Sequence, residues 1–130
     1  MKKYIMCSII MLLVTTSDAQ TVVVSYNKVK WGHGGEYNDH IKKYWIPGAD
    51  KQVQEGNLIS YQVLGHNMGD EWNDVVIYQL KDYASWEKAW QGMYQYWREN
   101  ASDEERKEHM KRIDAHKDNI YSVRHSKSKE

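Results

Sequence analysis

The stretch GDEWNDVVIYQLKDYASWEKAWQGMYQYW, residues 69–97, decides the fold. Gly69-Asp70 predicts a turn. Trp72 to Leu80 then alternates between two faces as a strand does, and one face carries Trp72, Val76, Tyr78 and Leu80. Four large side chains then recur at steps of four, three and four, the spacing of one helical face: Trp86, Trp90, Met93 and Trp97. The segment predicts a turn, a strand and an aromatic helix, and we expect the helical stripe to pack as core rather than to stack on a ligand.

The residues before this segment predict a strand and an interrupted helix. Thr21 to Val29 is rich in β-branched residues and favours a strand. A helix is expected to start near Gly35 and to be interrupted by Pro47, because proline lacks an N–H donor and clashes with the preceding turn. A second helical piece, Ala49 to Glu55, follows with Val53 directed inward, and a glycine just beyond it predicts its end.

Two further strands and a polar helix complete the pattern. Leu58 to His66 favours a strand that pairs with the next one as an antiparallel hairpin. Asp82 is placed to cap the aromatic helix. The sequence Ser102-Asp103-Glu104-Glu105 matches a capping box, and the helix that it opens is expected to extend through Ile113. Asn119 to His125 alternates and predicts a final edge strand.

The order strand, helix, strand, strand, helix, strand is typical of the ferredoxin-like βαββαβ arrangement. This is an α+β fold with a four-stranded antiparallel sheet and both helices on one face. Apolar side chains occupy both faces of the predicted strands, so the face without helices also needs cover. With only about 110 residues available, a second copy of the chain is the simplest cover. We therefore expect a homodimer that packs through its sheet faces.

The first 19 residues match an export signal. Lys2 and Lys3 precede an apolar run of about a dozen residues, which is shorter than the ~20 that a membrane-spanning helix needs. Small residues lead to Ala19 and predict cleavage between Ala19 and Gln20, although an uncleaved N-terminal anchor is the alternative. We expect a single domain over residues 20–126, a disordered tail over 127–130, and a periplasmic or secreted protein with no stable membrane insertion after cleavage.

Composition limits the chemistry further. The chain has 18 basic and 18 acidic residues, which gives no basic footprint for nucleic acid. Its only cysteine, Cys7, lies in the signal segment, so the mature protein has neither a disulfide nor a thiol nucleophile. Six Trp and ten Tyr stand against no Phe. Such residues pair a large apolar body with a polar group, which suits a core, the border of a wet pocket or a subunit interface.

Several segments resemble the dimeric α+β-barrel superfamily, and within it small exported bacterial proteins of unassigned function. The similarity spans roughly Val22 to Trp97. The segments that carry it are Tyr44-Trp45-Ile46-Pro47, Glu55-Gly56-Asn57-Leu58-Ile59-Ser60-Tyr61, Gly69-Asp70-Glu71-Trp72-Asn73 and Lys81-Asp82-Tyr83. The superfamily includes cofactor-free monooxygenases, haem-degrading enzymes, chlorite dismutase-like haem proteins and proteins without known activity. Its fold therefore does not choose an activity.

A ligand pocket is the first candidate site. His66 ends the second predicted strand close to where Trp72 opens the third, and Tyr61 and Tyr78 lie nearby in the hairpin. Aromatic walls with a few polar groups are typical of small-molecule sites. His66 could serve there as a general base, since the pKa of histidine is near neutrality. The alternative is a core histidine satisfied by backbone groups.

A metal site is the second candidate. His33, Glu36 and His40 flank the start of the first helix, and a divalent metal could in principle take all three as ligands. The alternative is a solvated helix start where Glu36 favours the helix dipole. His109 and His116, seven residues apart among charged neighbours, are expected on the exposed side of the last helix. The predicted aromatic helix has no histidine that could ligate haem, and we expect no cofactor.

The sequence thus favours an exported homodimer that binds a small apolar or aromatic molecule or acts structurally. The first alternative is a cofactor-independent monooxygenase-like enzyme that uses the pocket at Tyr61, His66, Trp72 and Tyr78. The second is a metal-binding module at His33, Glu36 and His40. An enzyme would show an enclosed cavity between sheet and helices, whereas a structural dimer would show a filled interior.

Overall fold

The computed structural model describes residues 20–66, 71–125 and 127. The predicted export signal, residues 1–19, lies outside the described residues. So do the predicted turn at Gly69-Asp70 and most of the predicted tail. Within the described part of the chain, no helix has the length and apolar character needed to cross a bilayer.

The elements follow the predicted βαββαβ order. They are β1 (Thr21–Val29), α1 (Gly34–His40), a π-helical segment (Ile41–Trp45), α2 (Ile46–Gln54), β2 (Ser60–Gly65), β3 (Asp74–Leu80), α3 (Tyr83–Asn100), α4 (Asp103–Lys111) and β4 (Ile113–Ser122). The bounds of β1 agree with the prediction. The strands β2 and β3 are shorter than predicted by up to two residues at an end.

The four strands form one antiparallel sheet in the order β2-β3-β1-β4. Val23 of β1 pairs with Tyr78 of β3 and with Ile120 of β4, which fixes the register at the centre of the sheet. The helices cover one face. The predicted ferredoxin-like α+β fold is therefore confirmed.

Alternate residues of each strand point to opposite faces. The helix-covered face carries Val23, Val76, Tyr78 and Leu80, all at most 3% exposed. The open face, on the other side, carries the alternate residues. Those of β1 and β3, Val24 among them, are half-buried in the single chain, whereas Leu64 and Tyr121 of the edge strands are exposed. In β3 this alternation is the one predicted from the sequence.

The main core lies between β3 and α3. Trp86 and Met93 of the predicted stripe are buried there at 8% and 0% exposure. Trp90 and Trp97 remain half-buried. The interpretation of the stripe as core is therefore only partly confirmed for Trp90, which packs against the core on one side, and is wrong for Trp97, because space remains between this part of α3 and the sheet.

The predicted break at Pro47 does not occur. The N–H of Ile46 donates to the carbonyl of Ile41, five residues earlier, so the helix widens into a π segment just before the proline. Pro47 then lies in the first turn of α2, where a missing N–H is tolerated. The helical path therefore continues from Gly34 to Gln54.

The predicted inward position of Val53 is wrong. Val53 is 36% exposed, whereas Gln52 is 2% exposed. The wide turn before α2 changes which side of the helix faces the core. Gln52 packs against Gly92 of α3, where an added Cβ would lie 2.2 Å from Gln52 Nε2, so the glycine permits the close approach of the two helices.

Both predicted helix caps are present. The Asp82 carboxylate accepts a hydrogen bond from the Ser85 N–H at 2.8 Å. Ser102 and Glu105 exchange the two bonds of a capping box. These caps fix where α3 and α4 begin, and so which residues each helix turns toward the sheet.

The predicted last strand is misplaced. β4 begins at Ile113 and ends at Ser122, rather than spanning Asn119 to His125. Its first half is mostly polar and gives no clear strand pattern. Pairing with β1 organises it nonetheless, since an edge strand can leave its side chains in water. Ile113 and His116 consequently belong to the sheet and not to the last helix.

Candidate ligand-binding cleft

A cleft of about 430 Å³ lies between the helix-covered face and the helices. It is lined by residues from three strands, three helices and the π segment. They are Ser25, Asn27, Tyr37, His40, Ile41, Trp45, Val76, Tyr78, Trp90, Tyr94, Trp97, His109, Met110, Ile113 and His116. This volume is within the usual range for small-molecule sites.

Indole rings form the apolar wall of the cleft. Trp45 and Trp90 meet edge to face with their ring centroids 5.3 Å apart. Trp90 also contacts Trp86 of the core at 5.8 Å. The wall is thus held from behind by core packing, which fixes broad flat surfaces toward the cleft.

Tyr78 supplies a polar group at the floor of the cleft. Its oxygen accepts a hydrogen bond from Trp45 Nε1 at 2.8 Å. The side chain is 1% exposed, and burial raises the pKa of its hydroxyl above the ordinary value. The hydroxyl therefore stays protonated, and its proton is available to an acceptor on a bound molecule.

Two stacked imidazoles join α1 to α4 along one side of the cleft. The rings of His40 and His109 lie 4.0 Å apart at an angle of 14°. Tyr37 stacks on the other side of His109 at 5.0 Å. Trp97 Nε1 donates to His40 Nε2 at 2.7 Å. The acceptor role of Nε2 places the proton of neutral His40 on Nδ1.

Both imidazoles are held neutral. Burial, aided by the positive charge of Arg112, lowers the pKa of His40 to about 4. Burial and the neighbouring His40 lower the pKa of His109 to about 3. His109 Nδ1 is buried and has no hydrogen-bond partner within the described residues. The pair therefore acts near neutral pH as an uncharged polar group rather than as a strong proton acceptor.

A buried carboxyl group lies behind the cleft. Asp74 is 5% exposed, and its Oδ2 accepts hydrogen bonds from the Tyr37 hydroxyl at 2.7 Å and from Asn27 Nδ2 at 3.1 Å. Burial raises the pKa of Asp74 above its ordinary value. Its hydrogen bonds orient Tyr37 and Asn27, both of which line the cleft.

His116 and Asp118 of β4 lie beside Ser25 of β1. His116 Nδ1 contacts Asn27 Oδ1 at 2.7 Å, and Nε2 lies 3.2 Å from Asp118 Oδ1. The hydrogen bond to Asp118 raises the pKa of His116. Ser25 donates to Asp118 and not to the imidazole. The arrangement therefore lacks the serine-to-histidine contact that nucleophilic catalysis needs.

Of the four residues predicted to share a pocket, Tyr61 and Tyr78 pair directly across β2 and β3, but only Tyr78 lines the cleft. The Tyr61 hydroxyl instead donates to Asp50 Oδ1 at 2.5 Å. His66 follows the end of β2, outside the cleft lining. Trp72 lies on the open face, where its ring centroid is 6.1 Å from that of Tyr26, because it precedes β3 and does not follow the alternation of that strand. The predicted face of Trp72 is therefore wrong.

The three predicted metal ligands also diverge. His33 Nδ1 and Glu36 Oε2 lie 3.4 Å apart at the exposed start of α1. His40 is 8% exposed and is directed to Trp97 and His109. Within the described residues, no group of three or more His, Cys, Asp or Glu side chains is arranged to hold a metal ion.

The expectation that His109 and His116 lie on the exposed side of the last helix is wrong for His109, which is 7% exposed. His116 is exposed as expected, but it lies in β4 and not in the helix. The side of α4 on which His109 lies could have been inferred from the sequence. The capping box fixes the first turn of α4, and residues at spacings of four and three from Glu105, namely His109 and Arg112, then share one face.

No known protein-family model matches the sequence. No curated protein is similar to it either. Solved structures do share its fold. A dimeric ferredoxin-like protein from an uncultured marine organism aligns with a TM-score of 0.66 and 7% identity, over 87% of this chain and 94% of that one.

Two other structures connect the fold with named families. A NIPSNAP family protein from Agrobacterium tumefaciens aligns with a TM-score of 0.61 and 14% identity, over 78% of this chain and 90% of that one. SnoaB, a cofactor-independent oxygenase from Streptomyces nogalater, aligns with a TM-score of 0.54 and 13% identity, over 84% and 96%. The chain thus has the fold of the ferredoxin-like dimeric α+β-barrel proteins. The low identities transfer no activity.

Proposed function

We propose that the protein binds a small planar apolar or aromatic molecule in the cleft. The observation that carries this proposal is the wall of Trp45, Trp90 and Trp97, which leaves about 430 Å³ open under the helices. A structural dimer would have filled this space, because protein interiors are close-packed. The proton of Tyr78 and the neutral imidazoles supply the few polar contacts that orient a ligand.

The binding unit is a homodimer that packs through the open face. Val22, Val24 and Ile77 lie on this face and are half-buried in the single chain. A structural neighbour is described as a dimeric ferredoxin-like protein, which supports the same assembly. The cleft lies on the opposite face of the sheet, so such a dimer would leave both clefts accessible.

Fluorescence titration with N-phenyl-1-naphthylamine, an uncharged aromatic probe, tests the binding proposal. We expect saturable binding that Trp90→Ala weakens at least about tenfold, since it removes one stacking surface. Trp31→Ala is the matched control, because Trp31 is 100% exposed. Failure to bind the probe, or equal loss in both variants, would overturn the proposal.

A cofactor-independent oxygenase is the second candidate function. It is favoured by the fold shared with SnoaB and by neutral imidazoles next to an aromatic wall. Oxygen consumption with phenolic compounds, measured without added metal or cofactor, tests it. We expect an enzyme to lose this activity in His109→Phe. Oxygen uptake that is unchanged in this variant would remove His109 from the chemistry.

The protein is also proposed to act outside the cytoplasm. The backbone supports a domain that starts at residue 20, because the Gln20 N–H donates to the Leu80 carbonyl and the Gln20 carbonyl accepts from Val123. Cleavage after Ala19 would therefore leave β1 intact. N-terminal sequencing of protein isolated from an exporting host should find Gln20 first, and an N-terminus at Met1 would contradict this proposal.

A further inference from the structure

A surface groove of about 580 Å³, the mouth, adjoins the cleft. It runs between the second half of α3 and α4. Tyr94, Trp97 and Met110 line both this groove and the cleft, so the two spaces meet at these three side chains. Tyr94 and Met110 are exposed, so a molecule bound against the aromatic wall lies next to this groove.

Three cationic side chains and one carboxylate line the mouth. Arg106 pairs with Asp103, and its guanidinium lies 6.0 Å from the ring centroid of Trp97. Lys111 pairs with Glu108. Lys107 is exposed and has no ion pair within the described residues. The mouth thus presents a positive charge that is not neutralised by its neighbours.

The other side of α4 has the opposite charge. A second groove there is lined by five acidic and two basic side chains: Glu36, Asp39, Glu104, Glu105, Glu108, Lys43 and Arg112, together with His40. The positive charge of α4 is therefore concentrated on the side where the cleft opens. This uneven distribution of charge around α4 attracts anions to the mouth.

The part of the cleft next to the mouth offers no free countercharge. His40 and His109 are buried and uncharged, and the adjoining wall is formed by indole rings. His116, on the β4 side of the cleft, is already paired with Asp118. An ionic group would lose hydration there without gaining a partner, so it would stay at the mouth. An apolar body, in contrast, is favoured inside.

We propose that the ligand is an amphiphilic anion, whose apolar planar body fills the cleft while one acidic group lies at Lys107 and Lys111. A carboxylate, a sulfonate or a phosphate would satisfy this geometry equally. This inference rests on the proposed binding function and names the chemical class of its ligand.

The test compares two probes with the same aromatic skeleton. 1-Anilinonaphthalene-8-sulfonate carries the anionic group, and N-phenyl-1-naphthylamine lacks it. We expect the charge-reversal variant Lys107→Glu/Lys111→Glu to weaken binding of the sulfonate at least about tenfold and binding of the neutral probe less than about twofold. Lys88→Glu/Lys42→Glu changes the net charge equally, but neither lysine lines the cleft or the mouth, and this variant should bind both probes normally.

Two further measurements distinguish a failure of the anionic ligand class from a failure of the binding function. The probes should displace each other, which shows that they share the cleft, and added salt should weaken only the sulfonate because it screens exposed charges. If the neutral probe binds and the sulfonate does not respond to either charge reversal or salt, the anionic class is overturned while the binding function stands. If neither probe binds, the proposed binding function itself is wrong, and the ligand class falls with it.

Discussion

The two faces of the sheet distribute polar and apolar residues in an unexpected way. Along β1, the open face carries Val22, Val24 and Tyr26, whereas the helix-covered face carries Val23, Ser25 and Asn27. An antiparallel sheet with one solvated face normally keeps polar residues on that face. Here Ser25 and Asn27 instead lie under the helices, between Val23 and Val29.

This difference separates two roles within the same strands. An apolar open face is costly in water and fits a partner surface. Polar side chains beneath helices are costly in a filled core and fit a site that receives a ligand. The network of Asn27, Tyr37 and Asp74 satisfies these groups without filling the cleft. One face is therefore suited to assembly and the other to binding.

The largest expected effect follows from Val24→Glu on the open face. Val24 is central in β1, where it pairs with Ile77 and Asn119. A carboxylate buried between two sheets without a partner should weaken the dimer at least about 100-fold. Sedimentation velocity over a range of concentrations measures the change.

Gln62→Glu is the matched control, because Gln62 is an exposed residue on the same face at edge strand β2. It should leave the dimer intact. If the unmodified protein sediments as a monomer at all concentrations, or if Val24→Glu remains fully dimeric, the assignment of the open face to assembly is wrong.

The second prediction compares Met93→Ala with Trp90→Ala on α3. Met93 is 0% exposed, and its truncation should lower the free energy of unfolding by about 2–5 kcal/mol. Trp90 already faces open space on one side, so its truncation should cost less than Met93→Ala, and less than the ~3–5 kcal/mol typical of a fully buried Trp, despite the larger side chain. Urea unfolding measures both. Equal or greater loss in Trp90→Ala would mean that the cleft is filled in solution.

The third prediction concerns pH. Neutral imidazole is favoured in the folded state, since the pKa of His40 is lowered from 6.5 to about 4. The unfolded chain therefore binds more protons below pH 6.5, and stability must fall as the pH decreases from about 6.5 to about 4. At ~1.4 kcal/mol per pH unit, His40 alone corresponds to about 3 kcal/mol. Chemical denaturation at a series of pH values measures the loss.

His109→Phe sharpens this result, because phenylalanine keeps a ring between Tyr37 and His40 but cannot be protonated. The stability of this variant should vary with pH about half as steeply over the same range. His116 works in the opposite direction, since its raised pKa favours the protonated form in the folded state. A pH dependence that His109→Phe leaves unchanged would show that the imidazole pair is not responsible.

The fold could be predicted because its signals are local. β-branched runs, the Asp82 cap and the Ser102 capping box each determine nearby backbone, and their order leaves few topologies. The first half of β4 could not be predicted in this way. It has no regular alternation, and it becomes a strand through its pairing with β1, which is a long-range interaction.

The site was harder to predict, since it depends on how elements pack. Tyr78 was identified from its strand, and Tyr61 does lie opposite it in the sheet, but the Tyr61 hydroxyl is directed to Asp50 and Trp72 lies on the open face. His109 was assigned to the surface because its neighbours are charged. Its stacking on His40 brings together residues 69 positions apart, which no local pattern could reveal.

The smallest expected effect concerns Ser25→Ala on the helix-covered face. Ser25 is 4% exposed and donates a hydrogen bond to Asp118, whose carboxylate is also held by His116. Because this second partner remains, the loss of the hydroxyl should cost only about 1 kcal/mol in urea unfolding. The cleft should change more than the stability does, since Ser25 itself lines the cleft and the substitution removes its hydroxyl from the lining, and the affinity for the neutral probe should shift severalfold. Thr21→Ser, a polar exchange on the same face of β1 but outside the cleft, is the control and should leave probe binding unaltered. A large loss of stability with unchanged probe binding would mean that these polar residues serve the fold, and would remove the distinction between a binding face and an assembly face.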